Sequence, residues 1–153
     1  YFKLPLETSN AISEEIITNG DCFKISWLQK NGLKVNFKVS KLFKNKLFSS
    51  FMNWVTPTKP SWNGHNSSGF KSDILEVNGF NELLSYGGED REMGERLFNL
   101  GIFSKQIRYS AICVHLDHAR SYVSDEVWKK NNDIRAFTKA NKVIKTTTGI
   151  HSN

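Results

Sequence analysis

The sequence predicts an α/β fold, rich in helix with a few strands, and three observations carry that prediction. Apolar residues recur at steps of three and four through most of the chain. One run, Ile107 to His115, alternates with the period of a strand. Loops bearing Gly, Pro, Ser and Asn separate these segments. With 153 residues, 39% hydrophobic and 24% charged, the chain has the size and composition of one domain with its own core; wholesale disorder, collagen-like repetition and a coiled-coil rod do not fit. No stretch approaches the roughly 20 apolar residues of a membrane span. Tyr1 to Leu6 lacks the basic and apolar regions of a signal peptide. Cys22 and Cys113 stand far apart without CxxC spacing, so neither a disulfide framework nor a zinc knuckle is expected, and a cytoplasmic location is.

In chain order, residues 8 to 19 read as a helix, with Thr8, Ser9 and Asn10 as capping candidates, Ile12, Ile16 and Ile17 on one face, and Gly20 as its end. Val39, Leu42, Phe43, Leu47, Phe51 and Val55 recur at helical steps with Lys38, Lys41, Lys44 and Lys46 among them, which predicts an amphipathic helix. Thr56 to Ser68 is a loop, punctuated by Pro57, Pro60 and Gly64. Ser72 is placed to cap a short helix through Val77, and Asn78-Gly79 supplies a turn. Met93, Leu97 and Leu100 mark the buried face of a helix from about Arg91, ended by Gly101. Ile107 to His115 then predicts a strand buried on both sides, whose end releases His115, Leu116, Asp117 and His118. A last helix spans about Val127 to Ile144, and Thr146 to Asn153 reads as a frayed end.

Charge is unevenly distributed. The net +6 conceals a stretch from Cys22 to Ser72 with nine lysines and no Asp or Glu. Packing of the amphipathic helix on the core, with lysines in water, accounts for this pattern; so does attachment of the Lys34 to Lys46 face to an anionic membrane surface. Nucleic acid is not an expected partner, because no recognition motif accompanies the charge and the lysines are not joined by arginines.

Chemistry-bearing residues concentrate between Gly64 and His118. In Tyr86-Gly87-Gly88-Glu89-Asp90, two glycines let a backbone approach a ligand, and two carboxylates sit at a helix start, where the dipole favours negative charge. A glycine turn followed by an acidic first helical turn explains the same residues without chemistry. His115 and His118, at i and i+3 beyond a strand, suit one metal ion but leave its shell incomplete, and unligated histidines are common.

The order of these segments adds information. Asn63-Gly64-His65-Asn66-Ser67-Ser68-Gly69-Phe70, then Asp73 to Glu82 with Val77-Asn78-Gly79-Phe80 at its centre, then Tyr86 to Asp90, then His115-Leu116-Asp117-His118 resembles the C-terminal, acceptor-binding half of family 2 glycosyltransferases of the GT-A group. It looks especially like the region shared with the β-1,4-galactosyltransferases, whose loop, "VNGFDE", "WGGED" and "HLWH" segments fall in the same order. Leu6 to Gly20 is similar, less distinctively, to the linker helix between the halves of that family.

The resemblance implies the C-terminal part of a GT-A fold and a metal-dependent, inverting hexosyl transfer from a nucleotide-sugar donor to a glycan or lipid-linked acceptor. By the same resemblance, Asp90 falls on the catalytic base. Glu89, Gly87, Gly88 and Tyr86 fall on the sugar-binding segment, Asn66 and Ser68 on the loop beside the donor. His115 and His118 fall on positions that complete the shell of a divalent ion, Mn2+ or Mg2+. The chain departs from the pattern at Tyr86, which replaces Trp, at His65 and Ser67, which replace Cys and Met, and at Asp117, which replaces Trp. No N-terminal nucleotide-binding half or DxD strand is visible: Asn19-Gly20-Asp21-Cys22 mimics the motif but follows a helical pattern. The expectation is a single-domain C-terminal piece, inactive alone, with a linker and basic helices at 1–58, an acceptor core at 59–120 and a C-terminal helix and tail at 121–153. A noncatalytic carbohydrate-binding or membrane-adaptor module is the alternative, and a peripheral place at the membrane fits both.

Overall fold

The computed structural model describes residues 2–57, 61–118 and 124–151. The expected internal boundaries near 58 and 120, and Pro60 of the predicted loop, lie outside them. The chain packs as two compact units, one from Tyr1–Thr58 with Gln106–Ala119, the other from Lys59–Lys105 with Arg120–Asn153.

The first unit holds two short parallel strands, β1 (Phe2–Lys3) and β2 (Val114–His115), in the register Phe2 to Val114 and Lys3 to His115. Among the described residues, its α-helices are α1 (Leu6–Asn10), α2 (Glu14–Thr18), α3 (Ile25–Lys30) and α4 (Lys46–Val55). Phe2, Leu4, Leu28, Leu33, Val39 and Leu42 form its core. Burial of such aliphatic and aromatic side chains is worth about 1.5–3 kcal/mol each.

The first unit departs from the sequence expectations in its helices, its caps and its second strand. The helix predicted over 8–19 is two: α1 stops at Asn10, and Ser13 restarts the chain by accepting from Ile16 N–H as the cap of α2. Thr8 and Ser9 are not caps but buried ties, Thr8 Oγ1 donating to Asn31 O (2.6 Å) and Ser9 Oγ accepting from Asp117 N–H (2.8 Å). The amphipathic helix through Val39 and Val55 is also divided, into a 3-10 turn at Phe37–Leu42 and α4. Asn36 and Asn45 each cap a new start through their side-chain oxygens. The strand predicted over 107–115 shrinks to Val114–His115, because Ser110 and Ala111 N–H groups turn back to Ile107 O and Ile107 is exposed. Asp21 lies in a 3-10 turn after α2, ion-paired to Lys24 at 2.6 Å. Cys22 is a buried thiol of this unit.

The second unit contains α5 (Lys71–Glu76), α6 (Glu89–Asn99) and α7 (Asp125–Ala140). Ser72 lies inside α5 rather than capping it; Phe70 occupies the cap position without a side-chain bond. Met93 and Leu97 are buried with Val77, flanked by Trp62 and Leu100, and Gly101 at φ 93° closes α6 as predicted. Asn78 (φ 64°) and Gly79 (φ 70°) make the predicted turn.

This turn is also where the predicted frayed end is overturned. The buried Asn78 amide donates to Thr146 O (2.9 Å) and His151 O (3.0 Å) and accepts from His151 N–H (2.8 Å), so residues 146–151 are tied into the unit. Gly149 is pressed against Asn78 O with no room for a Cβ.

Candidate active site

The second unit holds most of the predicted site. Glu89 and Asp90 are the first residues of α6, entered through Gly87 (φ 104°) and Gly88 (φ 95°). These left-handed angles demand glycine, since a Cβ there is strained. Glu89 Oε2 accepts from Gly87 N–H at 2.8 Å, so this carboxylate fastens its own loop. Asp90 reaches further: Oδ2 accepts from Gly64 N–H at 3.0 Å, while Oδ1 accepts from Arg91 N–H at 2.7 Å. The predicted base and the predicted donor-side loop are thus joined directly.

That loop is closed by Ser67, whose Oγ accepts from Asn63 N–H (2.8 Å) and donates to Asn63 O (2.7 Å). Asn66 N–H also returns to Asn63 O (3.0 Å). Ser68 is exposed, and Tyr86 presents a partly exposed ring beside the two glycines. Gly94 of α6 abuts the Trp62 backbone so closely that a Cβ would collide with it, which seats the helix on the start of the loop.

What the sequence reading missed is the support given by α7. Trp128, Asn131 and Arg135, at i, i+3 and i+7, meet the glycine loop along one helix face. Asn131 is fully buried, and its amide N–H groups reach Ser85 O, Tyr86 O and Gly87 O at 3.3, 3.2 and 2.8 Å. The Trp128 ring lies over Gly87, and the Arg135 stem over Gly88. Arg135 is held by Glu95, with Nη2 to Oε1 at 2.6 Å. A Trp and an Asn at i, i+3 inside a predicted helix were the available signal.

Beneath the loop, Arg96 and Glu92 form a fully buried ion pair, with Arg96 Nε to Glu92 Oε1 and Oε2 at 3.0 and 2.9 Å. Arg96 also donates to Val77 O and to Gly79 O (2.7 Å), and Thr138 Oγ1 donates to Glu92 Oε1 (2.9 Å). The Val77-Asn78-Gly79 turn is therefore bound to α6 from one side and to residues 146–151 from the other.

The two histidines belong to the first unit, where β2 ends. Their rings stack at 5.4 Å between centroids and 27° between planes. Between them in sequence, Asp117 pairs with Lys3 Nζ at 2.9 Å, and this lysine holds the Asp117 carboxyl below the usual aspartate range. The pair fits part of a metal shell, two adjacent imidazoles, with the intervening carboxylate committed to Lys3. Among the described residues, no group of three or more His, Cys, Asp or Glu gathers as a metal site.

No curated protein and no solved structure matches the chain. A family model described as the N-terminal domain of galactosyltransferase matches residues 48–119, a segment containing every residue assigned a role above from Asn66 to His118. A galactosyltransferase-related domain over residues 48–119 is what this match supports.

Proposed function

We propose that this protein is a hexosyltransferase that moves a sugar from a nucleotide-diphosphate donor to a glycan or lipid-linked acceptor with inversion, with Asp90 as the base. The hydrogen bond from Gly64 to Asp90 carries the proposal, since it ties together two motifs that the family resemblance assigns to one reaction. Each Asp90 oxygen accepts one backbone N–H and keeps a lone pair for the acceptor hydroxyl. As that hydroxyl oxygen forms a bond to the anomeric carbon and the bond to the diphosphate breaks, its proton passes to Asp90. One base suffices for a direct displacement, which inverts the centre. Glu89 shapes the glycine loop, and Tyr86 offers a ring face to the sugar. His115 and His118 would contribute to holding a divalent cation, Mn2+ or Mg2+. When bound, such an ion supplies charge neutralisation at the leaving diphosphate.

The test is sugar transfer from a panel of UDP-hexoses by the full-length protein and its Asp90→Asn variant. Loss of a positioned base lowers kcat by about 10² to 10⁴-fold with acceptor KM little changed. If Asp90→Asn and Glu89→Gln both retain normal turnover, the assignment fails. A loss in Glu89→Gln alone would reverse the roles of the two carboxylates.

A further inference from the structure

We propose that the outward face of α4, with the lysines around its start, docks on an anionic lipid bilayer as a helix lying in the headgroup plane. This goes beyond sugar transfer and does not depend on it. The orientation of α4 is the first argument. Its inner side is fixed by Asn53, which donates to Ser110 Oγ (2.8 Å) and accepts from Tyr109 N–H (2.9 Å), by the buried Ser49, and by Phe48, edge-on to Tyr109 at 6.2 Å. Ser49 and Asn53 are thereby turned inward beside Phe48. Leu47, Phe51 and Trp54, at i, i+4 and i+7, are turned outward, 84%, 56% and 82% exposed. A surface helix ordinarily turns residues of this size and apolarity to the core.

Charge selects the occupant. The stretch from Cys22 to Ser72 has nine lysines and no acid, and Lys38, Lys44 and Lys46 are exposed just before or at the start of α4. Burial, and then the neighbouring Arg108 and Lys38 charges, push the Lys41 ammonium below its ordinary pKa. Nucleic acid would answer the lysines but offers no apolar phase to Leu47, Phe51 and Trp54. A bilayer answers both, and a Trp and Phe pair, here 6.3 Å apart, suits the headgroup boundary. At ten residues α4 is about 15 Å long, which is enough to lie in the interface and too short to cross. Phe37, Phe43 and Phe48 also share an open recess with Gln29, Asn36 and Ser40.

Cosedimentation of the chain with phosphatidylcholine vesicles, with and without phosphatidylglycerol, tests this. Binding is expected only with phosphatidylglycerol present. Replacing Lys38, Lys44 and Lys46 by Gln should weaken it roughly a hundredfold, from about fivefold for each lysine near the surface. A Leu47→Ser, Phe51→Ser, Trp54→Ser variant should abolish binding, with circular dichroism and urea midpoint unchanged because these side chains are exposed. Brominated acyl chains should quench Trp54 emission, and Trp54→Phe should lose that quenching. No binding to anionic vesicles, equal binding to neutral ones, or full binding by the serine variant would overturn the proposal. So would a dimer that the serine variant dissolves, since a second copy would then be covering the face.

Discussion

Replacing Arg96 by Met leaves the Glu92 carboxylate, 1% exposed, without its cation. It also removes the donors to Val77 O and Gly79 O, so the loss falls on both the ion pair and the turn it secures. Breaking one side of a buried pair costs about 3–5 kcal/mol, because the remaining charge is stranded away from water. A domain of this size has about 5–15 kcal/mol in total. With a urea m-value of about 2 kcal/mol/M, the midpoint should fall by roughly 1.5–2.5 M at constant m. The double variant Glu92→Leu, Arg96→Met removes both charges and should recover at least half of the loss. Full recovery is not expected, since Thr138 Oγ1 and the Val77 and Gly79 carbonyls also lose partners. Urea unfolding followed by circular dichroism measures all three chains. A cost below about 1 kcal/mol for Arg96→Met, or a double variant less stable than the single one, would refute the account of this pair.

Asn131→Ala should cost about 1–3 kcal/mol, since it strips the donors from a loop carbonyl cluster, and it should quicken amide exchange at Gly87 and Gly88; unchanged exchange would mean α7 does not hold the loop. Gly149→Ala should lower the thermal midpoint, because the new methyl collides with Asn78 O and must displace the turn; an unaltered midpoint would show the 146–151 segment to be dispensable. Lys3 lowers the Asp117 pKa in the fold, so the stability from this pair is present above the unfolded value of about 3.9 and fades as pH falls through the folded value. The small difference in urea midpoint between the wild type and Lys3→Met should accordingly be larger at pH 6 than at pH 2, and a difference that grows on acidification would contradict the pairing. Burial raises the Cys22 thiol pKa, so Cys22 should resist alkylation at pH 8 until the chain is unfolded; rapid labelling of Cys22 in the native protein would refute its burial.

Local rules made much of this chain legible. Gly101 had to end a helix whose buried face Met93 and Leu97 mark, Asn78-Gly79 had to turn, and Glu89 and Asp90 had to begin a helix after two glycines; all of this rests on short-range sterics and periodicity. The ordered motifs from Asn63 to His118 likewise pointed to a galactosyltransferase-related segment from sequence alone. Tertiary partners decided the rest. Whether Ser9 caps a helix or accepts from Asp117 depends on a residue 108 positions away. The predicted helix through Val39 and Val55 broke because Asn45 could cap a new start, and α4 turned its apolar side outward because Asn53 found Tyr109 and Ser110. Residues 146–151 look unstructured until Asn78 is seen to grip them. The spacing of Trp128 and Asn131 puts them on one helix face, but the buried amide acquires its role only from the carbonyls that the fold sets before it. Hydrogen bonds between distant residues leave no periodic trace, and in this protein they orient α4, tie down the C-terminal segment and join Asp90 to the Gly64 loop.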